Sequence, residues 1–387
     1  MKCAKIQHER VLSKYNYTFV ELSDYERCIF AELFSCSFSG KLLLPMSKTT
    51  SKVLQIVITT ALFGFSIYFA LSNINFSRLL EYLQSVNYWY FLATIPIVIL
   101  SHYIRATRWK ILVDPLKKQI KTLNLFSGIM IGYGINNIIP RGGELVRPFV
   151  VAKREKIPIP SLVATVVLER FFDVLNLLFF ISIATLLFTD KLQIALPSVS
   201  ANQMIVYAGI PTILLLTAII LFAFTNFGKW VITKVISPIS EKFAEKAATL
   251  LQSFTKGLDV VKQPKSFLPL VLQSILIWIL YAIPVYILFY AFGLQTQLSF
   301  SDAALLLIIT SVGVAIAPTP GTVGVYHLFM QEAMNKLYSI PLEEGLAFAT
   351  LSHSVHYLLS FLLGGFFMVR ENISPKESLS QNSTSID

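Results

Sequence analysis

Residues 136–149 read NNIIPRGGELVRPF, running from Asn136 and Asn137 through Pro140 to Arg141, Gly142, Gly143, Glu144 and Arg147. The stretch follows an apolar run that begins at residue 123, yet it holds an Asn pair, three ionisable side chains and a helix breaker. Pro140 lacks a backbone donor and clashes with the turn before it, while Gly142 and Gly143 permit backbone geometry closed to other residues. Whether 123–139 crosses a membrane or stops at this break decides how every later segment lies.

A membrane is the only plausible solvent for the rest of the chain. Of 387 residues, 55% are apolar and 14% charged, against about 25% charged in a typical soluble domain, and the mean hydropathy is +0.65. This excludes an ordinary soluble enzyme. The net charge of +10 would suit nucleic acid, but too few charges separate the apolar runs to build a soluble basic face, which leaves anionic lipid headgroups. Cys3, Cys28 and Cys36 all precede the first apolar span and make no disulfide framework.

Apolar segments of the length needed to cross a bilayer, about 20 residues, occur at 53–73, 88–104, 123–139, 161–188, 204–224, 266–292 and 346–369. Two shorter ones, 303–317 and 323–338, flank Pro318-Thr319-Pro320-Gly321-Thr322. Lys and Arg concentrate on the cytoplasmic side. If 123–139 crossed fully, the basic loop 140–160 and the seven Lys of 225–265 would lie outside. Treating 123–139 and 161–172 as half-depth helices returning to the cytoplasmic side places 28 of 32 basic residues inside and three outside, with Arg170 left in the membrane. By the same parity 303–317 and 323–338 form a hairpin dipping in from outside.

The expected fold is therefore all-α and polytopic. It has six full spans, two re-entrant helical hairpins from opposite faces (about eight membrane segments), inverted-repeat character and both termini cytoplasmic. Broken helices meeting near mid-membrane around a substrate are the pattern of such transporters, since unpaired backbone is tolerated at that depth only inside protein or beside a wet cavity. Plain spans without hairpins are the alternative. Residues 1–52 read as a cytosolic extension, with Met46 as a candidate true start, and 370–387 as a disordered cytosolic tail around the membrane domain 53–369. Within that domain, 239–262 reads as a basic amphipathic helix on the cytoplasmic side, lying on lipid or packed on the bundle.

Three clusters could carry chemistry. In the first, Asn136, Asn137, Arg141, Gly142, Glu144 and Arg147 surround the Pro140 break. Arginine's planar fork grips phosphate with two hydrogen bonds, and amides free at a helix start would assist. In the second, Glu169 and Asp173 share a helical face and Arg170 reaches Asp173 at i, i+3; ionisable groups inside a span usually face the bundle and mark a pathway. In the third, Pro318, Thr319, Pro320, Gly321 and Gly324 break the helix and offer hydroxyls at Thr319 and Thr322. Each also has a structural reading: an ordinary basic loop, a tying ion pair, a tight turn. His353 and His356 lack a third ligand and read as packing residues. No metal site, cofactor site or catalytic residue is expected.

R-G-G-E-L-V-R, then V-V-L-E-R-F-F-D from Val166 to Asp173, then P-T-P-G-T-V-G from Pro318 to Gly324, together resemble the transmembrane family of lysylphosphatidylglycerol synthases, also called flippase-like integral membrane proteins. The resemblance runs over about residues 54–370. Arg105, Arg108 and Trp109 resemble the basic-aromatic end of that family's second span. Two positions depart from it: Gly321-Thr322 where the family often has Gly-Gly, and His327 where it often has an acidic residue. The resemblance implies a lipid-handling domain standing alone, without the aminoacyl-transferase of the best-known members, in the inner or plasma membrane of a prokaryote.

A flippase or transporter of an anionic, aminoacylated or glycosylated lipid is the leading expectation, with Arg141, Arg147 and Arg170 drawing the phosphate and Glu144, Glu169 and Asp173 balancing it. The rivals are a headgroup-modifying transferase using Glu169 or Asp173 as base or metal ligand, and a non-catalytic subunit of a lipid or cell-envelope pathway. Membrane lipids are the expected partners and nucleic acid is not. A lipid-modifying enzyme and a second copy of the chain are the candidate protein partners.

Overall fold

Pro140 does end a helix, and the chain turns back at once. In the computed structural model, which describes residues 48–195, 198–238, 240, 241, 244, 248 and 264–371, Thr122–Asn136 is helical, residues 137–142 form a turn, and Gly143–Glu155 is a second helix. The described residues hold thirteen α-helices and no strand. They are α1 (Lys48–Leu71), α2 (Phe76–Ser85), α3 (Tyr88–Val113), α4 (Thr122–Asn136), α5 (Gly143–Glu155), α6 (Ile159–Leu187) and α7 (Thr189–Ala195). The later ones are α8 (Ala201–Phe224), α9 (Phe227–Val231), α10 (Pro264–Ala291), α11 (Phe300–Ile316), α12 (Val325–Tyr338) and α13 (Leu342–Arg370). Their starts follow from the side chains at their caps. Asn75 and Asn87 accept from the first amides of α2 and α3, and Ser200 with Gln203 and Ser299 with Asp302 form reciprocal capping boxes.

Among the described residues four helices are long and apolar enough to cross a membrane: Tyr88–Val113, Ala201–Ala218, Lys265–Ala291 and Leu342–Arg370. The 29 residues of α6 would span about 43 Å at 1.5 Å per residue, also enough, but its middle carries Glu169, Arg170 and Asp173. The expected half-depth helix 161–172 is thus the first part of one continuous helix. The partner of α4 is α5, which lies in the segment read as a loop. Small residues permit that pairing: a Cβ on Gly143 would stand 1.8 Å from the Gly132 carbonyl oxygen. No side chain fits there, so the two arms close backbone to backbone.

By contact the chain divides into residues 59–367, which hold everything discussed below, and the two ends, 1–58 with 368–387. In the ends, the described residues 48–58 and 368–370 are helical. Within the larger unit α3 packs along α10 and against α4, α8 on α6, and α11 on both α10 and α12. Trp109 on α3, Leu125, Ile129, Met130 and Ile131 on α4, and Leu162 and Leu168 on α6 are fully buried. Leu288, Phe289, Leu306, Met330, Met334 and Phe348 form a second core between α10, α11, α12 and α13. The extension up to residue 47, the tail beyond residue 371, and most of the expected amphipathic helix 239–262 lie outside the described residues.

Candidate functional site

Three helices deliver the charges. One turn apart on α3, Arg105 and Arg108 share a face; α5 contributes Glu144 and Arg147 by the same spacing, and α6 contributes Glu169, Arg170 and Asp173. Glu169 is completely buried and is gripped by Arg147, by Arg105 at 2.9 Å and by Arg108 at 3.2 Å. Asp173 takes Arg105 at 2.6 Å, Arg108 at 2.5 Å and Arg170 at 3.4 Å. Arg170 also lies 3.6 Å from Glu169 and 3.7 Å from Glu144. Four guanidinium groups thus face three carboxylates.

Neutral neighbours hold the cations in place. Trp109 stacks under the Arg147 guanidinium at 4.4 Å, and its own ring N–H donates to Thr165 Oγ1 at 2.9 Å, fixing the plane. Arg108 donates to Ser274 Oγ at 3.2 Å, and Arg105 to the Tyr281 hydroxyl at 3.5 Å. Even so, the buried Nε–H groups of Arg105, Arg108, Arg147 and Arg170 have no hydrogen-bond partner. Burying a charge is tolerated when it is paired and bonded; here positive charge and donors exceed what the carboxylates absorb. The excess sits on the closed side, where Arg105, Arg108 and Arg147 surround Glu169; on the open side the side chains of Arg170 and Glu144 are 35% exposed and that of Asp173 25%.

Other expected site residues are used differently. Asn136 Oδ1 accepts from the Gly143 amide at 2.7 Å, and Asn137 donates to the Tyr357 carbonyl at 3.1 Å and to Ser360 Oγ at 2.9 Å. The amides beside Gly142 and Gly143 are therefore not free for a ligand: that of Gly142 goes to Ile139 and that of Glu144 to Arg141. Gly142 caps α5. Arg141 stays out of the cluster, exposed, and donates to the Ala315 carbonyl at 3.3 Å.

That bond spans the two breaks. The second lies at 317–324, where Pro320–Thr322 makes one 3-10 turn between α11 and α12. Thr319 bonds the Val323 carbonyl, Thr322 approaches His353, Pro318 and Pro320 shape the turn, and Gly324 abuts Ser66 and Ile67 of α1. A Cβ on Gly321 would stand 3.4 Å from the Asn137 Cα. The tips of the two breaks are in contact, but the charges gather at the first alone.

Sequence reasoning missed Arg105 and Arg108, which counted as cytoplasmic loop charges because the apolar run fades at residue 104; α3 continues to Val113 and buries both. Their i, i+3 spacing straight after a span, with Trp109 beside them, was the available signal. At the loop end of α5, Glu155 accepts from Lys117 Nζ at 2.8 Å and from Asn124. Burial would raise its pKa, but those bonds and the Lys117 charge outweigh it and hold the carboxyl below its ordinary range.

An all-helical chain with several helices of membrane length, an ion cluster built into the bundle and two abutting helix breaks is an integral membrane protein. It belongs to the family described as lysylphosphatidylglycerol synthase TM region, whose model matches residues 53–364. A UPF0104 membrane protein of Methanocaldococcus jannaschii is 24% identical over 79% of this chain and 93% of its own length. One of Pyrococcus horikoshii is 24% identical over 76% of this chain and 90% of its own. The glycosyltransferase AglD of Haloferax volcanii is 23% identical over 72% of this chain, but the match covers only 48% of AglD. No solved structure matches.

Proposed function

We propose that the protein moves a lipid with an anionic headgroup between the leaflets of the membrane, holding the headgroup phosphate at the arginine cluster. One observation carries this reading: four arginines and three carboxylates sit together in the bundle with cationic charge in excess and four buried guanidinium donors unpartnered. A phosphate presents acceptors in the plane a guanidinium demands. Of the cluster, Arg170 is the member placed to meet it, since it is part exposed and its carboxylate partners are 3.4 Å or further away.

In this reading α4–α5 and α11–α12 are hairpins dipping into the membrane from opposite faces, with both termini cytoplasmic, and their touching tips part to let the headgroup pass. The glycosyltransferase name of one relative supports glycosylated lipids among the cargoes, and the family description supports aminoacylated ones. An enzyme using these carboxylates on a metal fits less well, because each of them faces guanidinium groups rather than converging with its fellows.

The test is leaflet exchange. Protein reconstituted into vesicles carrying fluorescent phosphatidylglycerol is expected to expose inner-leaflet label to dithionite. Arg170→Gln is expected to return exchange to the rate of empty vesicles with little change in melting temperature. Wild-type vesicles that protect phosphatidylglycerol and its aminoacylated and glycosylated analogues as well as empty ones do would refute the proposal.

A further inference from the structure

Four of the five histidines stand in one row between the charge cluster and the second break. His102 lies one turn before Arg105 on α3, with its ring 5.0 Å from Tyr133 and 5.9 Å from His356 of α13. His356 is 6.0 Å from Tyr281, whose hydroxyl accepts from Arg105. One turn back on α13 is His353, and His327 of α12 is 5.0 Å beyond it. The row therefore begins beside Arg105 and its partner Asp173 and ends at the Pro320–Thr322 turn.

Bonding within the row is incomplete in a telling way. His353 Nε2 lies 2.7 Å from the Gly321 carbonyl and 3.1 Å from Thr322 Oγ1. A carbonyl only accepts, so Nε2 carries the hydrogen and Nδ1 is left to receive one. Both ring nitrogens of His102, and Nδ1 of His327, are buried without any hydrogen-bond partner. Packing alone would favour a phenyl or leucine side chain over an imidazole whose polar atoms go unmet, because an unsatisfied buried donor or acceptor is destabilising.

We propose that His102, His356, His353 and His327 form a proton path from the arginine–carboxylate cluster to the second helix break, and that proton movement along it accompanies the lipid. The coupling rests on the lipid-transport reading; the path does not. Each imidazole takes a proton on one nitrogen and releases one from the other, which leaves the opposite tautomer until ring rotation restores it; protons are conserved and no electrons move. Ring-centroid spacings of 5.0 Å between His327 and His353 and 5.9 Å between His102 and His356 suit transfer through one bridging water or a ring rotation, and His353 and His356 are one turn apart on α13. Relays of this kind are a recurrent use of ionisable groups inside membranes. The titratable groups facing the row are Arg105, Tyr133 and Tyr281 around His102 and His356, and Tyr326 and Tyr357 around His353 and His327. Asp173 and Glu169 lie behind Arg105 and offset its repulsion of a charged His102.

Vesicles of phosphatidylethanolamine and phosphatidylglycerol with a lumenal pH dye, and valinomycin with potassium to clamp the potential, test this after an external acid step. Wild-type protein is expected to acidify the lumen faster than empty vesicles and to slow in D2O. His356→Gln and His353→Gln are expected to fall to the empty-vesicle rate, the second keeping a donor for Gly321 and so the fold. Ser354→Ala, beside the row but bonded only to the Leu351 carbonyl, is expected to match wild type. Wild-type vesicles no faster than empty ones, or histidine variants as fast as wild type, would overturn the path. Fluorescent phosphatidylglycerol in the same vesicles separates the two readings. Lipid exchange without proton flux overturns the path alone, and proton flux without lipid exchange supports the path while removing the lipid-transport reading.

Discussion

Glu169 is the residue on which the cluster depends. It has no exposure, and Arg105, Arg108, Arg147 and Arg170 all lie within 3.6 Å of its carboxylate. Replacing it with Gln keeps the shape and removes the charge, leaving Arg105 and Arg108 with Asp173 as their near carboxylate and taking from Arg147 the carboxylate it is paired with. Breaking a buried ion pair from one side typically costs about 3–5 kcal/mol. Glu169→Gln is accordingly expected to unfold at markedly lower temperature in detergent, whereas Arg170→Gln, at the open edge, keeps the fold and loses exchange. An unshifted Glu169→Gln melt would show that the arginines are satisfied without it. The motif that contains Glu169 was legible because three charges within five positions of an apolar span are costly. Its partners on α3 were not, because a fading hydropathy signal cannot distinguish a helix that ends from one that turns inward with charged side chains.

At the scale of elements, the α4–α5 hairpin stands on the contact of Gly132 with Gly143. A methyl group at 143 would fall 1.8 Å from a carbonyl oxygen, so the arms must separate and the Asn136 bond to the Gly143 amide is lost with them. Gly143→Ala is expected to lower the melting temperature and abolish lipid exchange together. Gly209→Ala, in α8 with nothing within 4 Å of the added carbon, is expected to be neutral or stabilising by up to about 1 kcal/mol. Circular dichroism melts of both variants check this; equal behaviour would remove the close approach as the cause. The Pro140 break was readable from backbone chemistry alone. The second arm of the hairpin was not: 143–155 is rich in charge and has Pro148 inside it, which reads as a loop, yet Glu155 and Arg147 find partners only when it is helical.

The arrangement of the whole molecule turns on the two breaks touching. Under the proposed topology, Lys153 on α5 and Lys336 on α12 face opposite sides of the membrane, and both are exposed. Cysteine at each position is therefore expected to react with an impermeant maleimide from opposite sides of oriented vesicles. Labelling of both from one side would rule out hairpins of opposite direction.

The amino-acid sequence by itself determined that this is a membrane protein, where its helices break and which motifs carry intramembrane charge, because the hydrophobic effect and proline and glycine stereochemistry act locally along the chain. Only the tertiary structure decided that Arg105 and Arg108 join Arg147 and Arg170 around Glu169 and Asp173, that the Asn pair serves the backbone, and that four histidines from three helices fall into line. Those are contacts between segments far apart in the chain, and hydrogen-bond geometry and charge pairing in a low dielectric select them only once the helices have packed.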